Sequence, residues 1–533
     1  MIRDQIGADC VLSKRNPFLF YKGGTMLEII EKVNTAINDF VWVKVGLILL
    51  IGVGILMTVI TKFFQVGHIG HWFKETIGSV FKKNSAATKK TDKKSISQFQ
   101  ALCTALAATI GTGNIAGVAA AIVLGGPGAV FWMWIAAFLG MMTNYSENVL
   151  GIYYRRKNKK GEWSGGAMYY LKDGLGRKCG YERIGSILAV LFSIFAILAS
   201  FGIGNMGQVN KITLNIESAF LEGVDIGSVA GIPITSIIIG SVLMLIAALI
   251  IIGGLQRIAA VAEKVVPAMA VLYIIGALTI FILNIENVSA MFASIFRFAF
   301  GVKAVGGAAI GIAIKEVITQ GCKRGVFSNE AGLGSSVMVH SSSNVKEPVK
   351  QGLWGIFEVF FDTFVVCTMT AIVVLSSGFI DLETGLAHPG VDDATLVSQV
   401  FGQHFGVIGE MFVALAMLLF AFTTVLGWSQ YGSKAIEYLF GEKAVKPYQI
   451  IFVLMIMSGA VMTSSLAWDI SDTFNGLMMV PNLIGVVALS PMVVKITRNY
   501  VNRRIKKIDE APILSYDAKI QKEAEEAIKT EEP

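Results

Sequence analysis

The chain has 533 residues, of which 54% are hydrophobic and 16% are charged. This composition excludes an ordinary soluble protein and is typical of polytopic membrane proteins. The net charge of +7 does not indicate a nucleic-acid partner, because the Lys and Arg residues lie between apolar runs rather than on a soluble domain.

The N-terminal arm, residues 1–40, lacks the apolar stretch of a secretory signal. The first long hydrophobic run starts near Phe40. We interpret residues 1–25 as a start-site extension or a mobile tail, with Met26 as an alternative start.

Apolar runs of membrane length follow. A helix needs about 20 apolar residues to cross the hydrocarbon core of a bilayer. Eleven segments fit this template, at approximately 41–64, 98–124, 127–154, 184–221, 231–253, 260–284, 303–326, 350–378, 407–434, 447–468 and 473–497. The sequence therefore predicts an all-α polytopic membrane protein with about eleven transmembrane helices.

Basic residues mark two of the connecting loops as cytoplasmic. They are Lys74, Lys82, Lys83, Lys89, Lys90, Lys93 and Lys94 in the first loop, and Arg155, Arg156, Lys157, Lys159 and Lys160 in the second. Residues 125–128, 221–228 and 379–399 are nearly free of Lys and Arg and should face outward. This predicts a plasma-membrane protein whose N-terminus is outside and whose charged tail, residues 498–533, is cytoplasmic.

Two shorter stretches are amphipathic and predict helices along the membrane surface. One spans residues 66–83 within the basic loop 65–97, and the other spans residues 288–300 within the outer connection 285–302. His68 and His71 lie in the first stretch, but no third metal ligand is near them. The cysteines show no metal-ligand spacing either, and no disulfide framework is expected: they are Cys10, Cys103, Cys179, Cys322 and Cys367.

The ten segments after the first form two halves of similar length, residues 98–284 and 303–497. Each half has an odd number of spans, so the two halves have opposite topology. In transporters built this way, each half begins with a discontinuous helix near the binding site. Glycine-interrupted segments occupy both of these positions here, at residues 110–117 and 301–325.

The stretch GTGNIAG at the start of the first half matches the dinucleotide-binding pattern as text, but a membrane-length helix precedes it instead of a strand. Tight helix packing explains Gly117 but leaves Thr112 and Asn114 unexplained. If the helix unwinds at 111–113, freed N–H groups can bind a substrate carboxylate and freed carbonyls can bind Na⁺. We therefore predict a binding site at this break.

Four motifs resemble the alanine or glycine:cation symporters, also called sodium:alanine symporters. They are GTGNIAGVAAAIVLGGPGAVFWMWIAAFLGM (111–141), GGLQRIAAVAEKVVPAMAVLY (253–273), GVFSNEAGLGSS (325–336) and TTVLGWSQYG (423–432). The resemblance implies a leucine-transporter-like 5+5 inverted repeat preceded by one extra helix, residues 41–64. It also implies small neutral amino acids as substrates, with Na⁺ and sometimes H⁺ as the driving ion.

Site roles follow from the same resemblance. It implies that the substrate contacts Thr112, Gly113, Asn114, Gln208, Thr424 and Trp428, with a contribution of the seventh helix near Gly307 to Ile318. It implies a sodium site built from the carbonyls of Ala107 and Ile110 and the hydroxyls of Thr423 and Thr424. No other metal and no cofactor are expected.

Four acids lie in or beside the predicted spans. Glu358 and Asp362 are four residues apart on one helical face, where a carboxylate usually faces a cavity or a partner. They are candidates for a proton relay, for a second ion site, or for pairs with a buried Lys or the Arg324 region. Glu147 and Glu330 are interpreted as part of a cytoplasmic gate.

These features favour secondary active transport: sodium-coupled uptake of alanine, glycine or similar amino acids across the bilayer. A proton-coupled or glutamine-preferring symporter of the same fold is an alternative. An ion channel would need a ring of polar groups lining a pore. An enzyme would need a nucleophile, metal cluster or acid–base pair of recognisable spacing, and the sequence has none.

Overall fold

The computed structural model describes residues 23–82, 87–88, 94–178, 180–221, 223–224, 226–300, 314–462 and 466–531. The regular secondary structure of this part of the chain is helical apart from two short antiparallel ribbons, β1 (Arg156–Lys157) with β2 (Trp163–Ser164) and β3 (Ser228–Val229) with β4 (Ile232–Pro233). Cys10, Cys179 and the predicted break within 301–313 lie outside the described residues, as does most of the predicted extension 1–25.

The helices of the described part are α1 (Gly23–Asn38), α2 (Leu47–Ile60), α3 (Phe64–Gly67), α4 (Ile69–Glu75), α5 (Ile77–Val80), α6 (Gln98–Thr109), α7 (Val118–Gly125), α8 (Gly128–Tyr153), α9 (Ala167–Tyr169), α10 (Glu182–Phe201), α11 (Gly207–Phe220), α12 (Ile234–Ile251), α13 (Gly254–Leu283), α14 (Val288–Ala299), α15 (Ile314–Asn329), α16 (Val337–His340), α17 (Pro348–Val359), α18 (Thr368–Ser376), α19 (Leu396–Phe405), α20 (Val407–Phe440), α21 (Val445–Ala460), α22 (Leu466–Ala488), α23 (Ser490–Tyr500) and α24 (Ala518–Glu531). Turns of π-helix extend or join several of them, at Asp39–Gly46, Gly113–Gly117, Tyr170–Lys178, Gly202–Met206, Phe360–Cys367 and Val501–Ile505. Short 3₁₀ turns lie at Ile285–Asn287 and Glu442–Ala444.

Six helical runs in the described residues are long and apolar enough to cross a membrane, and two bent helix pairs raise the number to eight. The runs are Ile29–Ile60, Glu182–Phe220, Ile234–Ile251, Gly254–Leu283, Pro348–Ser376 and Val407–Phe440. The bent pairs are Gln98–Thr109 with Gly113–Gly125 and Asp469–Ala488 with Ser490–Ile505. The other three predicted segments overlap α8, α15 and α21, so the helical architecture agrees with the expected fold.

The start of the first span differs from the prediction. The helix that contains this span begins at Gly23, and its membrane-length apolar run is Ile29–Ile60 rather than one that starts near residue 41. The prediction started later because Glu31, Lys32 and Asp39 interrupt the apolar pattern, whereas the helix continues through them. The span ends where Lys62 and Phe63 adopt left-handed backbone conformations, with φ of 59° and 54°.

The predicted surface helix over residues 66–83 is also wrong in detail. The chain forms the three short helices α3, α4 and α5 there, interrupted at His68 and Thr76, whose backbones are not helical. Trp72 is buried, and its indole N–H donates to the carbonyl of Gln65 at 2.9 Å. Burial of this ring against Phe360 fixes the segment on the protein rather than on lipid alone.

Close helix packing surrounds α8, which lies against α15 and α17. Gly355 permits this approach, because a Cβ atom there would lie 2.3 Å from the Asn148 side chain and 2.6 Å from that of Asn144. Small residues serve the same purpose in membrane bundles generally, since lipid tails are as apolar as the helix surfaces. Both asparagines are thereby buried inside the bundle.

The C-terminal tail returns to the end of α8 and the loop that follows it. Glu347 accepts hydrogen bonds from Arg503 at 3.0 Å and from Arg504 at 2.7 Å. The N–H of Tyr516 donates to the carbonyl of Tyr153 at 3.1 Å, and Lys157 pairs with Glu523 at 2.9 Å. The tail is therefore part of the folded protein.

Candidate functional site

The predicted break in the first helix of the first half is present. α6 begins with a capping box in which Ser97 and Gln100 exchange hydrogen bonds, and it ends at Thr109. Ile110 is extended, with φ −76° and ψ 93°, and the chain resumes at Gly113 with a bend of 57°. The prediction of an unwound membrane helix is therefore confirmed.

Asn114 stabilises the unwound backbone. The N–H of Gly111, which would continue the helix by bonding to Ala107, donates instead to Oδ1 of Asn114 at 2.9 Å. The carbonyl of Ala107 therefore lacks its helical donor, as expected at a helix C-terminus. Freed carbonyls of this kind are ligands for small hard cations.

Two other helices contact the break. The N–H of Thr112 donates to Oε1 of Gln208 at 3.3 Å, while Nε2 of Gln208 donates to the carbonyl of Ile203 at 3.1 Å. A Cβ atom on Gly111 would lie 2.5 Å from Oγ1 of Thr424 and 3.3 Å from Oε1 of Gln208. Glycine is thus required for α11 and α20 to approach the backbone this closely.

Of the two threonines expected at the sodium site, Thr424 reaches the break. Its hydroxyl lies 3.4 Å from the carbonyl of Ile110 and also donates to Phe420 at 3.1 Å. Thr423 instead donates to the carbonyl of Phe420 at 2.9 Å and contacts the sulfur of Met269 at 3.6 Å. Thr423 therefore does not contact the break in this conformation, and its expected role at the sodium site stays a prediction.

Asp362 is brought to the break from a distant helix. Its Oδ1 accepts a hydrogen bond from Nδ2 of Asn114 at 2.7 Å, and the carbonyl of Asn114 accepts one from Thr370 at 2.7 Å. Asp362 lies on the π-helical turn Phe360–Cys367, a feature that is frequent at functional sites. The sequence indicated Asp362 as a candidate because acids are rare in membrane segments. It did not indicate that Asn114 is its partner.

A cavity of about 320 Å³ reaches the break from one side. Its lining residues are Thr112, Gly113, Ala116, Gly117, Ala120, Lys211, Lys323, Arg324, Phe327, Asp393, Ala394, Asp469 and Asp472. Thr112 and Gly113 are the predicted substrate residues in this lining. Its rim is charged, and Lys323 pairs with Asp472 at 2.9 Å.

The remaining predicted substrate residues do not line this cavity. Asn114, Gln208 and Thr424 are buried behind the break. Trp428 packs so closely on Gly204 that a Cβ atom there would lie 2.4 Å from the tryptophan side chain. Ile318 lies on α15 and packs against the core.

Glu358 has a different partner from those expected. Its carboxylate pairs with Nε2 of His340 at 2.9 Å, and both side chains are fully buried. Of the alternatives left open for Glu358, a pair with a Lys or with Arg324 is not formed, because the short helix α16 brings His340 to α17. Gln351 in turn contacts the other ring nitrogen of His340.

Glu147 and Glu330 also lie in buried polar contacts. Asn482 of α22 donates to the carboxylate of Glu147 and to the carbonyl of Gly332. Ser335 donates to the carboxylate of Glu330. These contacts join several helices, and the assignment of both acids to a cytoplasmic gate stays a prediction.

Among the described residues, no group of three His, Cys, Asp or Glu side chains converges on His68 and His71. Nε2 of His71 contacts the hydroxyl of Tyr500 at 3.1 Å. Burial lowers the pKa of both His68 and His71, which favours neutral imidazoles.

The sequence of the chain matches a known protein family. Residues 27–514 match the family described as "Sodium:alanine symporter family". The chain is 43% identical over 476 residues to "Sodium/alanine symporter AgcS" of Methanococcus maripaludis, covering 89% of this chain and 98% of that protein. It is 36% identical over 494 residues to "Probable sodium/glutamine symporter GlnT" of Bacillus subtilis, covering 92% and 95%.

The fold also matches a solved structure. The crystal structure of MhsT in complex with L-phenylalanine superposes with a TM-score of 0.51 at 14% identity, covering 76% of this chain and 99% of that protein. This likeness shows a shared leucine-transporter-type fold. The chain is accordingly an integral membrane transporter rather than an enzyme, and it belongs to the sodium:alanine symporter family.

Proposed function

We propose that the chain couples the entry of Na⁺ to the uptake of small neutral amino acids, with alanine and glycine as substrates, by alternating access. The observation that carries this proposal is the broken helix at residues 110–112, which lies at the end of a cavity and against Thr424. Unsatisfied backbone is tolerated at membrane depth where it lines a cavity or a binding site.

The substrate carboxylate binds at the N-terminal end of the second half-helix. N–H groups at a helix start attract anions, and Thr112 and Gly113 border the cavity at that point. Gln208 holds the backbone at Thr112 and offers an oxygen to the substrate amine. Asn114 fixes the unwound segment, while Ile318 and Trp428 form walls that a closing motion brings toward the substrate.

Na⁺ binds on the other side of the break. The carbonyls of Ala107 and Ile110 end the first half-helix, and the hydroxyl of Thr424 lies beside the second of them. Thr423 joins this set only after a rotation of its side chain. Oxygen ligands of this kind match the preference of a small hard cation.

The cavity opens to the outside in the predicted topology. Asp393 and Ala394 line it and belong to the loop 379–399, which lacks Lys and Arg. The N-terminus is then outside and the tail cytoplasmic. Substrate and Na⁺ enter from the same side, which is the direction required for uptake.

The test is uptake of labelled alanine and glycine by the purified full chain in proteoliposomes. We expect accumulation with an inward Na⁺ gradient and none when K⁺ replaces Na⁺ at the same ionic strength. Uptake that does not depend on the gradient would contradict the coupling.

Two further experiments identify the preferred amino acid and the driving ion. A competition panel against labelled alanine includes glutamine, because one relative is named as a glutamine symporter. Preferential displacement by glutamine would replace alanine and glycine as the proposed substrates. A proton gradient imposed without Na⁺ tests the alternative driving ion, and uptake driven by it would replace Na⁺.

A further inference from the structure

A second cavity, of about 360 Å³, lies at the face of the protein that carries the basic loops. Its walls come from both halves of the chain. Trp163 and Gly254 belong to the first half, and Ser342, Gln430 and Lys446 belong to the second. None of the residues assigned above to substrate or Na⁺ lines this cavity, so it is a separate feature of the molecule.

Two buried polar side chains in its wall lack hydrogen-bond partners. Nε2 of Gln430 and Oγ of Ser342 contact no partner in the part of the chain that the structure describes, and each residue is only 3% exposed. A glutamine amide nitrogen can only donate, and a serine hydroxyl can donate as well. Because an unpaired buried donor is costly, these atoms indicate a ligand that accepts hydrogen bonds.

The acids in the wall are engaged elsewhere. Each of the three accepts a hydrogen bond from a neighbouring group: Glu437 from Lys434 at 3.2 Å, Glu442 from the N–H of Lys159 at 2.9 Å, and Glu162 from Nδ2 of Asn158 at 3.2 Å. Lys160 and Lys446 also line the cavity, and neither forms an ion pair with a described residue. Their two ammonium groups are thus available to an anion.

Two helices begin at the same cavity. Gly254 is the first residue of α13, and Lys446 lies in the first turn of α21. The N-terminal end of a helix carries a partial positive charge and favours anions. Two helix ends, two lysines and the unpaired amide of Gln430 therefore face one space, which suits an anion with several acceptor oxygens.

A phosphate group meets this description, because it combines negative charge with several strong acceptor oxygens. The cavity also borders the apolar surface of the spans. Ile252 lines it and is 52% exposed, and Leu249 on the preceding turn is 70% exposed. Basic pockets between membrane helices bind the headgroups of anionic lipids. A lipid can therefore place its phosphate in the cavity while its chains lie along these apolar side chains.

We propose that this cavity binds the phosphate of an anionic lipid, with Lys160, Lys446 and Gln430 as its contacts. In the predicted topology the lipid belongs to the cytoplasmic leaflet. The site does not depend on the proposed transport reaction. Because its walls belong to both halves, a bound headgroup links them and stabilises the present arrangement.

The test is native mass spectrometry of the purified full chain in detergent, titrated with dioleoyl phosphatidylglycerol. The double variant Lys160→Gln with Lys446→Gln should weaken binding of the first lipid by at least about tenfold. The matched control is Lys159→Gln with Lys443→Gln, which removes the same charge from the same two loops at residues that do not line the cavity. It should bind like the wild type. Equal weakening in both double variants would overturn the site.

Gln430→Leu tests the buried donor separately and keeps both lysines. We expect lipid affinity to fall by about fivefold, as for the loss of one hydrogen bond to a charged group. Thermal stability without added lipid should not fall, because the amide nitrogen has no partner among the described residues to lose. Unchanged lipid affinity in a folded Gln430→Leu would overturn the assignment of this contact.

Two further titrations identify the source of the phosphate. Dioleoyl phosphatidylcholine, whose headgroup has no net charge, should bind at least about tenfold more weakly than phosphatidylglycerol, and equal binding would overturn the preference for an anionic lipid. Inorganic phosphate at a few millimolar should leave the bound lipid in place. Displacement of the lipid by inorganic phosphate in the wild type would assign the cavity to a soluble phosphate ligand instead.

Discussion

The hydroxyl of Thr424 and the carbonyl of Ile110 are 3.4 Å apart, so a side chain of α20 meets the main chain where the membrane helix is broken. The two residues are 314 positions apart in the sequence and belong to opposite halves of the protein. An ion bound between them would hold the two halves together. Its departure would release α20 from the break.

Thr424→Ala removes the hydroxyl beside Ile110. We expect the Na⁺ concentration for half-maximal alanine uptake to rise by about tenfold, since a contact to a charged group contributes about 1.5–3 kcal/mol. Thr423→Ala should cause a smaller change, because its hydroxyl contacts Phe420 and Met269. Ser429→Ala on the same helix is the control, since Ser429 bonds its own helix at Leu426. An unchanged Na⁺ dependence in Thr424→Ala would mean that the ion binds elsewhere.

Gly111→Ala tests the close approach at the break. The new methyl group would lie 2.5 Å from Oγ1 of Thr424, and overpacking of this kind costs about 1–3 kcal/mol. We expect affinity for labelled alanine to fall by at least about fivefold in equilibrium binding. Gly52→Ala on the first span is the matched control, because no atom lies within 4 Å of its added Cβ. Equal affinity in both variants would show that the break tolerates side chains.

Gln208→Ala removes the acceptor for the N–H of Thr112. The loss of one hydrogen bond of about 1 kcal/mol should weaken alanine binding by about fivefold, while expression and thermal stability change little. Asn215→Ala, on the same helix, removes an amide that bonds to the carbonyl of Lys211 and serves as the control. If the control weakens binding as much, Gln208 acts through the helix and not at the site.

The sequence predicted the helix break because the cause is local. Glycines and an asparagine interrupt an apolar run that would otherwise form a continuous membrane helix. The partner of Asn114 could not be predicted in this way. Asp362 lies 248 residues away, and only the packing of α6, α15 and α17 brings it to the break. The sequence assigned Thr423 and Thr424 to the same site and could not predict that only the hydroxyl of Thr424 lies beside Ile110 in this conformation. Adjacent residues differ by about 100° around a helix.

Glu347→Gln tests how the tail is held. Glu347 is 3% exposed and pairs with both Arg503 and Arg504. Neutralising it removes the carboxylate charge that faces Arg503 and Arg504, so amide hydrogen exchange across residues 513–531 should accelerate by about tenfold. Glu523→Gln is the matched control, because its pair with Lys157 is exposed on both sides and contributes little. Unchanged exchange in Glu347→Gln would show that apolar packing alone holds the tail.

Lys323 and Asp472 form a charged contact across the cavity, between α15 and α22. Asp472 also accepts a hydrogen bond from Asn38, and its carbonyl accepts one from Trp42. The contact therefore connects the extra first span to both walls of the cavity. In the proposed topology, this contact is placed to control access from the outer side.

Reversing either charge should lower the initial rate of alanine uptake by about fivefold, the effect of about 1 kcal/mol for a part-buried pair. The variants are Lys323→Asp and Asp472→Lys, measured in proteoliposomes under one Na⁺ gradient. The double variant restores opposite charges and should recover most of the rate. Lys323 also lies 5.6 Å above the ring of Trp42, so that interaction is lost in the double variant and recovery stays incomplete. Additive losses in the double variant would show that the two side chains act independently and that their contact does not control entry.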